Sequence, residues 1–303
     1  MRTLVIGYGS IGTRHAALLE ELGTEVALVS RRAAAERPVF ADLETALRAH
    51  APDYVVVANE TSGHAPTLAQ LADLDYRGVV LVEKPLFSAA SGLPAHSFSF
   101  AGVAYNLRFH PVLKRLKSML EGERVVSVHA QVGQYLPDWR PGTDYRHCYS
   151  ASAQRGGGVL RDLSHELDYI TWMLGGWCSV TAMGGHFSAL EIDSDDVFSL
   201  LITTPRCRSV SVHLNYLERV PQRVITINTD RHTLRADLVN GTIAVDGKVE
   251  AIAVERNETY RAMHAAVMGR QPDVVCSLEQ GLDTVILIDA ACAAAQHRKW
   301  IDK

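Results

Sequence analysis

A glycine-rich segment near the N-terminus, Gly7-Tyr8-Gly9-Ser10-Ile11-Gly12, constrains the fold more than any other feature of the chain. It follows the apolar run at residues 4–6 directly and precedes apolar residues at helical spacing. In such a strand–loop–helix setting, the three glycines permit a tight turn, close approach of the backbone to a pyrophosphate, and close packing of helix on strand. Free N–H groups at the start of the helix attract the phosphate charge. We therefore predict a Rossmann domain that binds a dinucleotide at Gly7, Gly9, Ser10, Ile11 and Gly12.

The first 121 residues alternate short apolar runs with helical patterns, which is typical of a parallel sheet with crossover helices. Residues 86–101 are rich in Ser, Ala, Gly and Pro, so the crossover helix expected there is shortened or absent. Pro111 in the first turn and Gly122 at the end delimit a helix over residues 111–120. The strands are predicted over residues 4–6, 25–29, 54–58, 79–82 and 102–107.

From residue 122 the pattern changes to alternation of apolar and polar residues with frequent turns, including hairpin turns at residues 240–241 and 246–247. Helices are predicted over residues 160–174, 255–268 and 278–297. The predicted fold class is α/β, with an N-terminal Rossmann domain (residues 1–121) and a C-terminal α+β domain (residues 122–303) for substrate binding and oligomerisation. The sheet of the second domain is expected to be mixed and mostly antiparallel, with strands over residues 125–131, 179–184, 197–203, 209–214 and 223–228.

Charge and cysteine content exclude several classes of protein. The net charge is −4 without blocks of like charge, so neither nucleic acid nor a membrane surface is an expected partner. No segment reaches the roughly 18 apolar residues of a membrane span, and the apolar run after Arg2 is too short for a signal peptide. The five cysteines are odd in number and far apart, which predicts a reducing, cytoplasmic location. A small-molecule substrate is therefore expected.

The residues after the second predicted strand bear on the choice of cofactor. An acidic residue there, about 20 residues after the glycines, would hold the ribose 2′-hydroxyl of NAD. This chain has Ser30, Arg31 and Arg32 instead, and arginines suit the 2′-phosphate of NADP. We predict NADP(H) rather than NAD(H), the alternative being that both arginines belong to a solvated loop. Asn59 and Glu83, which follow two further strands, complete the predicted cofactor site.

Lys84 follows the predicted strand at residues 79–82, at the edge where open α/β sheets bind ligands. Pro85 disfavours helical geometry at Lys84 and restricts its direction. A partly desolvated lysine beside a nicotinamide can polarise a carbonyl or hold an alkoxide. A surface lysine that ends a strand is the plainer alternative.

The motif Glu83-Lys84-Pro85, after a glycine loop of this kind, resembles the glucose-fructose oxidoreductase and inositol dehydrogenase family. Residues 105–111 (YNLRFHP) are similar to the segment that joins the domains of that family, and residues 156–162 (GGGVLRD) to the segment before its catalytic helix. The resemblance covers essentially the whole chain. It implies an NAD(P)-dependent oxidoreductase acting on CH–OH groups without a metal, in which Lys84 assists proton and hydride transfer at a sugar or polyol carbon.

The predicted helix over residues 160–174 carries Asp162, His165, Glu166 and Asp168. Asp162, His165 and Asp168 follow one another at intervals of three and can share one face. A carboxylate that orients an imidazole suits a general acid or base, so His165 and Asp162 join Lys84 as predicted catalytic residues. The family usually separates its aspartate and histidine by four positions, and the spacing of three leaves Glu166 as a competitor. A structural histidine is the alternative, and zinc-helix spacing is absent.

A polar and aromatic loop at residues 134–146 precedes this helix. Trp139 and Tyr145 can stack on a sugar ring or base, and Arg140 and Arg146 can bind a carboxylate or phosphate, unless the loop simply packs on the sheet. Its Trp-Arg and Tyr-Arg pairs resemble relatives associated with bacterial surface sugars and acidic nine-carbon sugars. A nucleotide-linked or acidic sugar is therefore expected. The family resemblance also places Asn106 and Arg108 near the nicotinamide, as predicted substrate-binding residues.

Together these features predict hydride transfer between NADP(H), or NAD(H), and a carbinol or keto carbon of a sugar derivative, with Lys84 and His165 handling the proton. Two alternatives stay open, a cofactor-sensing regulatory protein on the same fold and a reductase of a non-sugar ketone, imine or tetrapyrrole. Because the family tends to associate through the exposed face of its second-domain sheet, a homodimer or homotetramer is expected.

Overall fold

The computed structural model describes residues 1–32 and 36–303, and the chain divides into two compact units. The first unit consists of Met1–Phe109 and Arg256–Leu282, and the second of His110–Glu255 and Asp283–Lys303. The chain therefore leaves the first unit after residue 109 and returns to it at residue 256.

Strands and helices lie largely where the apolar patterns predict them. The strands are β1 (Arg2–Ile6), β2 (Glu25–Val29), β3 (Val39–Phe40), β4 (Tyr54–Val57), β5 (Val79–Val82), β6 (Phe100–Val103), β7 (Val125–Gly133), β8 (Ser179–Gly185), β9 (Val197–Thr203), β10 (Val210–Asn215), β11 (Gln222–Thr229), β12 (Thr233–Asp237), β13 (Thr242–Val245), β14 (Lys248–Ala251) and β15 (Ile301–Asp302). The helices are α1 (Ser10–Glu21), α2 (Leu43–His50), α3 (His64–Asp73), α4 (Pro111–Met119), α5 (Val159–Asp162), α6 (His165–Leu174), α7 (Glu258–Met268) and α8 (Leu278–His297).

The sheet of the first unit has the order β3-β2-β1-β4-β5-β6, with parallel pairing throughout. The strand order reverses at β1, since β2 lies on one side of it and β4 on the other. Ligands of open α/β sheets bind outside the carboxyl ends of the strands at such a reversal. The predicted Rossmann domain is confirmed.

The core of the first unit explains why these strands form. β4 and β5 are buried along their whole length, as the uninterrupted apolar runs predict for strands covered on both faces. Met263 and Val267 of α7 belong to the same core cluster as Val5 and Val56. Returning to the first unit therefore buries the apolar face of α7.

Two sequence predictions in the first unit had different outcomes. Residues 86–99, all of them described, contain no helix, which confirms that the crossover helix is absent. The strand predicted over residues 102–107 is wrong in extent, because β6 ends at Val103 and residues 106–109 form a 3-10 turn. The backbone N–H groups of Tyr105 and Asn106 donate to carbonyls two residues earlier, so the ladder stops there.

The sheet of the second unit has the order β14-β13-β12-β11-β7-β10-β9-β8-β15. β7 and β10 are parallel, and the other neighbours are antiparallel. The predicted mixed, mostly antiparallel sheet is confirmed, and the turns at residues 240–241 and 246–247 connect β12, β13 and β14.

The single helix predicted over residues 160–174 is wrong, because it is divided into α5 and α6. Leu163 and Ser164 separate the two, and the φ and ψ angles of Leu163 are −99° and 27°, outside helical geometry. His165 is therefore the first residue of a helix, and Asp162 is the last residue of the preceding one.

The division of the chain also differs from the single boundary expected after residue 121. Helix α7 lies with the first unit although it follows β14 in sequence, because its apolar residues complete that core. Among the described residues, no helix is long and apolar enough to cross a membrane.

Candidate active site

The glycine loop after β1 has the geometry that a dinucleotide requires. The φ angle of Gly7 is +95°, and a Cβ there would lie 2.7 Å from the carbonyl oxygen of Ala58. A Cβ at Gly12 would lie 2.0 Å from the carbonyl oxygen of Gly7, so only glycine lets α1 pack this closely on the loop. A Cβ at Gly9 would meet no atom within 4 Å, which leaves open space above the second glycine. The loop therefore has the three properties that the glycine spacing predicts, namely a tight turn, room for a pyrophosphate and close packing of helix on strand.

The start of α1 adds to this fit. Helix α1 begins at Ser10 without a side-chain cap and without an acidic residue in its first turn. Ser10 is exposed and Ile11 is half-buried, so the first turn is accessible to a ligand. Because uncapped helix starts present free N–H groups and positive dipole charge, this loop fits a pyrophosphate.

Arginines stand beside the glycine loop where NAD-binding chains have a carboxylate. Arg31 and Arg32 are exposed, and the guanidinium of Arg32 donates to the carbonyl oxygen of Tyr8 at 3.5 Å. The backbone N–H of Arg32 donates to the Ser30 hydroxyl at 2.9 Å. A third arginine, Arg37, donates to the Tyr8 hydroxyl at 2.7 Å. Arg37 also pairs with Glu20 at 2.6 Å, so its charge is largely balanced.

Asn59, which follows β4, holds the loop from the opposite side. Its side-chain amide donates to the Thr67 hydroxyl at 2.9 Å and to the carbonyl oxygen of Gly63 at 3.5 Å. A Cβ at Gly7 would lie 2.7 Å from the backbone of Asn59. Asn59 thus shapes the loop through its backbone, and its predicted contact with cofactor stays a prediction.

Glu83 and Lys84 lie directly after β5 and differ in exposure. Glu83 is buried, whereas Lys84 is half-buried and is joined to Pro85 by a cis peptide bond. The two carboxylate oxygens of Glu83 face His15 Nε2 at 2.8 Å and the backbone N–H of Lys84 at 2.9 Å. Burial opposes ionisation of Glu83, but its hydrogen bond and electrostatic interaction with His15, followed by the charge and backbone N–H of Lys84, bring its pKa below the usual value.

His64 supports the segment after Lys84. Its Nδ1 lies 3.0 Å from the carbonyl oxygen of Pro85 and 3.2 Å from that of Leu86. Its Nε2 lies 3.2 Å from the carbonyl oxygen of Asn59. This buried ring therefore links the ends of β4 and β5.

Asn106 and Arg108 are buried within the first unit. The Asn106 amide donates to the Thr259 hydroxyl at 2.7 Å, and the Arg108 guanidinium donates to the Gln280 side chain at 2.7 Å. Arg108 is only 2% exposed. These bonds attach residues 106–109 to the segment that returns from the second unit, and substrate contact by either residue stays a prediction.

In the second unit, His165 opens α6 and Asp162 closes α5, and both side chains are half-buried. The hydroxyl of Tyr216 donates to Asp162 Oδ2 at 2.7 Å. Burial raises the pKa of Tyr216 well above its usual value, so this hydroxyl remains a donor. Tyr216 therefore fixes the orientation of the Asp162 carboxylate.

Glu166, the competing acid or base, has other partners. Its side chain is fully buried and lies 2.8 Å from the guanidinium of Arg223, and the Tyr169 hydroxyl donates to it at 3.3 Å. A carboxylate enclosed with an arginine destabilises the fold if its partner is removed, and it exchanges protons with a ligand poorly. Asp162 as the partner of His165 stays a prediction.

The glycine run before α5 is required by close contacts. A Cβ at Gly158, whose φ angle is +118°, would lie 2.3 Å from a carboxylate oxygen of Asp195. That carboxylate accepts from the backbone N–H of Leu160 at 3.0 Å, and burial raises its pKa. Asp195 thus caps the short helix that ends in Asp162.

The loop at residues 134–146 packs partly on the sheet. The Trp139 indole donates to the carbonyl oxygen of Gln134 at 3.1 Å and meets the Tyr216 ring edge-on at 5.2 Å. Trp139 and Tyr145 also line a shallow cavity with Leu136 and Arg140. Aromatic packing and a small surface recess therefore coexist in this loop.

The two candidate arginines of this loop are in different situations. Arg146 pairs with Asp144 at 2.8 Å and with Glu191 at 3.3 Å. Arg140 is exposed and, in the part of the chain that the structure describes, has no carboxylate partner. Arg140 is therefore the more accessible cation.

Sequence interpretation missed Tyr216, Asp195, Arg37 and His15, which support the predicted residues from other elements. Tyr216 lies just after β10, and its position could have been inferred only from strand pairing. Asp195 belongs to the acidic run Asp193-Ser194-Asp195-Asp196, which was a detectable signal. No cluster of His, Cys, Asp or Glu able to hold a metal ion occurs among the residues described.

These features define a NAD-binding oxidoreductase, and comparison with known families agrees. Residues 1–96 match the model of the oxidoreductase family with a NAD-binding Rossmann fold, and residues 114–235 match that of the GFO/IDH/MocA C-terminal domain. Together the two models cover most of the chain. The chain belongs to the GFO/IDH/MocA family of oxidoreductases, as the motif at Lys84 predicts. No curated protein sequence matches it.

Solved structures share the fold at low identity. GenD2 from gentamicin A biosynthesis, in complex with NAD, is 23% identical with a TM-score of 0.81, covering 100% of this chain and 96% of its own. The WlbA dehydrogenase from Bordetella pertussis, with NADH and UDP-GlcNAcA, is 17% identical with a TM-score of 0.79, covering 100% and 98%. An oxidoreductase from Agrobacterium radiobacter with NAD+, L-tartaric acid and magnesium is 17% identical with a TM-score of 0.80, covering 100% and 98%.

Proposed function

We propose that this chain transfers a hydride between NADP(H) and a carbinol or keto carbon of a sugar derivative. The observation that carries the cofactor choice is the end of β2, where exposed Arg31 and Arg32 stand beside the glycine loop and no carboxylate follows Val29 directly. Two guanidinium groups there complement a 2′-phosphate, whereas the 2′-hydroxyl of NAD would be held by a carboxylate.

The proposed reaction transfers one hydride and one proton. A nicotinamide cofactor held at the glycine loop would supply the hydride acceptor for oxidation and the hydride donor for reduction. The hydroxyl proton must then leave to a base as the C=O bond forms, and it returns from an acid in reduction. Lys84, half-buried beside an ionised carboxylate, suits polarisation of the oxygen, and His165 suits proton exchange at neutral pH.

The proposed substrate is a nucleotide-linked or acidic sugar. Arg140 supplies an exposed cation for a carboxylate or phosphate, and Trp139 and Tyr145 beside it offer aromatic surface to a sugar ring. The neighbouring structures named above support this class, since one holds UDP-GlcNAcA and another belongs to gentamicin A biosynthesis. Assembly as a homodimer or homotetramer and a cytoplasmic location belong to the same proposal.

The cofactor test is fluorescence titration with NADPH and NADH. We expect tighter binding of NADPH, and we expect the double variant Arg31→Ala, Arg32→Ala to lose about tenfold or more in NADPH affinity while NADH affinity changes little. Arg48→Ala, an exposed arginine on α2 paired with Glu44, is the matched control. Tighter binding of NADH by the unmodified chain contradicts the NADP(H) assignment.

The substrate test is a panel of nucleotide-linked sugars, acidic sugars and neutral polyols, with reduction of NADP+ followed by absorbance. Turnover with an anionic sugar that falls in Arg140→Ala supports the proposal. Cofactor binding without turnover of any sugar in the panel would contradict a sugar substrate and would favour a non-sugar substrate or a regulatory role.

A further inference from the structure

Four polar side chains lie in a single row inside the first unit. The Tyr54 hydroxyl is 2.9 Å from His264 Nδ1, His264 Nε2 is 2.8 Å from His15 Nδ1, and His15 Nε2 is 2.8 Å from Glu83 Oε1. Tyr54, His264 and His15 are fully buried, and Glu83 is 7% exposed. We call Tyr54, His264, His15 and Glu83 the buried tetrad.

The tetrad collects one residue from each of four elements. Tyr54 begins β4, His15 lies on α1, Glu83 follows β5, and His264 lies on α7, the helix that returns from the far part of the sequence. The rings pack edge-on, with centroids 4.9 Å apart for His15 and His264. A buried row of this length is stable only if each polar atom is matched by a partner.

The number of protons in the tetrad determines their positions. Three hydrogen bonds join the four side chains, and each bond uses one proton. With Glu83 ionised and both rings neutral, there are three protons, so Tyr54 donates to His264, His264 donates from Nε2 to His15, and His15 donates from Nε2 to Glu83. The backbone N–H of Lys84 occupies the second oxygen of Glu83 at 2.9 Å, so both carboxylate oxygens have donors.

Adding a fourth proton disturbs this arrangement. A proton placed on Glu83 or on either ring reverses the bonds between it and Tyr54, and the Tyr54 hydrogen then has no acceptor within the tetrad. Burial also lowers the pKa of His264 well below its usual value, which opposes a charged ring. Geometry and burial thus favour the same protonation state.

We propose that the buried tetrad fixes both histidines as neutral Nε2–H tautomers, keeps Glu83 ionised, and thereby holds Lys84 in place and in its charged form. Tyr54, His264 and His15 are in this view positioning residues that act on the reaction through Glu83. The link to catalysis rests on the proposed function, in which Lys84 polarises the substrate oxygen.

The tetrad can influence Lys84 in two ways. The Glu83 carboxylate fixes the peptide N–H of Lys84, which sets the direction in which the lysine leaves the sheet edge. Its negative charge, one residue away, favours the ammonium over the neutral amine. An ammonium group can donate to a carbonyl oxygen or stabilise an alkoxide.

The first test is 15N NMR of the histidine rings in the 303-residue chain labelled with 15N-histidine. We expect the His15 and His264 signals, identified by their loss in His15→Asn and His264→Gln, to show protonated Nε2 and unprotonated Nδ1 from pH 6 to pH 8. A charged ring or an Nδ1–H tautomer at either position would overturn the proposal.

The second test uses Glu83→Gln, which keeps the shape of the side chain. The amide oxygen must face the Lys84 N–H, so the NH2 group must donate to His15 Nε2 and force both rings into the Nδ1–H tautomer. Tyr76→Phe is the matched control, because its buried hydroxyl lies in the same unit but bonds to the carbonyl oxygen of Pro52. Tautomers that stay unchanged in a folded Glu83→Gln overturn the proposal, and if that variant fails to fold, the spectrum of the unmodified chain still decides.

The third test measures Lys84 itself by competitive acylation with acetic anhydride across a pH series, read out by peptide mass spectrometry. We expect the midpoint for Lys84 to fall by about one pH unit in Glu83→Gln, with exposed Lys248 as internal reference. An unchanged midpoint would contradict the claim that Glu83 keeps Lys84 in its charged form. None of these readouts requires turnover. A panel without sugar oxidation would therefore reject the proposed function but not the proposed protonation state of the tetrad. Sugar oxidation together with a charged or Nδ1–H histidine ring would reject the tetrad proposal but not the proposed function.

Discussion

Glu83 in the first unit and Glu166 in the second are both buried carboxylates next to a predicted catalytic residue, yet their partners differ. In the proposed protonation state Glu83 accepts from a neutral imidazole and a backbone N–H, whereas Glu166 lies against the guanidinium of Arg223. A carboxylate held by neutral donors keeps its negative charge available to a neighbour. A carboxylate paired with arginine is neutralised locally. Only the first arrangement can act electrostatically on Lys84, and the second mainly stabilises α6.

The largest effect is expected at the two proposed catalytic residues, Lys84 and His165, rather than at the residues that support them. We expect Lys84→Met and His165→Asn each to lower kcat by about a hundredfold or more, since each removes a group that handles the proton. Cofactor affinity, measured by fluorescence, should change little. Lys248→Met, on an exposed hairpin strand, is the control. A His165→Asn variant with normal turnover rules out His165 as acid or base.

The next effect tests whether Glu166 has a structural role. We expect Arg223→Met to lower the free energy of unfolding by about 3 kcal/mol, because it leaves a buried carboxylate without its cation. Urea denaturation measures this loss, and adding Glu166→Gln should recover part of it. Arg77→Met, which breaks an exposed pair with Asp75, should cost less than about 1 kcal/mol. Equal losses for the two arginines would contradict the distinction.

A smaller effect is expected when the donor to Asp162 is removed. Tyr216→Phe should reduce stability by about 1–2 kcal/mol and lower kcat severalfold without changing cofactor affinity, since Asp162 loses its orienting bond. Tyr169→Phe removes a comparable buried hydroxyl that bonds to Glu166 and should affect stability alone. A fall of kcat in both variants would indicate a general packing effect.

The smallest effect concerns the loop that carries the candidate substrate residues. The hydrogen bonds from Arg146 lower the pKa of Asp144 to about 2. Because this pKa lies below that of an unfolded aspartate, the pair stabilises the loop above pH of about 4 and is lost as pH falls towards 2. The Tm difference between the unmodified chain and Asp144→Asn should therefore be small and constant above pH 5 and should shrink in acid. A difference that grows in acid would contradict this sign.

Local patterns predicted the fold of each unit well. The glycine spacing, the continuous apolar runs of β4 and β5, and the turns at residues 240–241 and 246–247 each determine structure within a few residues of themselves. The errors have two causes. β6 stops at Val103 because the backbone turns locally at residues 104–106. Helix α7 joins the first core through contacts distant in sequence, although most of the second unit lies between them.

The candidate site was predictable to the same extent. Sequence motifs contain Lys84, His165 and Asp162, and the types of these residues indicate proton-transfer chemistry. His264 and Tyr216 belong to no such motif, because a histidine in an ordinary helical pattern and a tyrosine after a strand acquire their roles only from partners 249 and 54 residues away. Contacts between residues so far apart cannot be inferred from a single sequence.

The return of α7 to the first unit limits how this architecture can be recombined. A gene fragment that ends near residue 121 would encode every strand of the parallel sheet but would lack Met263, His264 and Val267, leaving an apolar groove and an unmatched imidazole at His15. Exchanging nucleotide-binding modules between relatives therefore requires three junctions, near residues 109, 256 and 282, rather than one cut. Chimeras built with a single junction should be recovered mainly as insoluble protein.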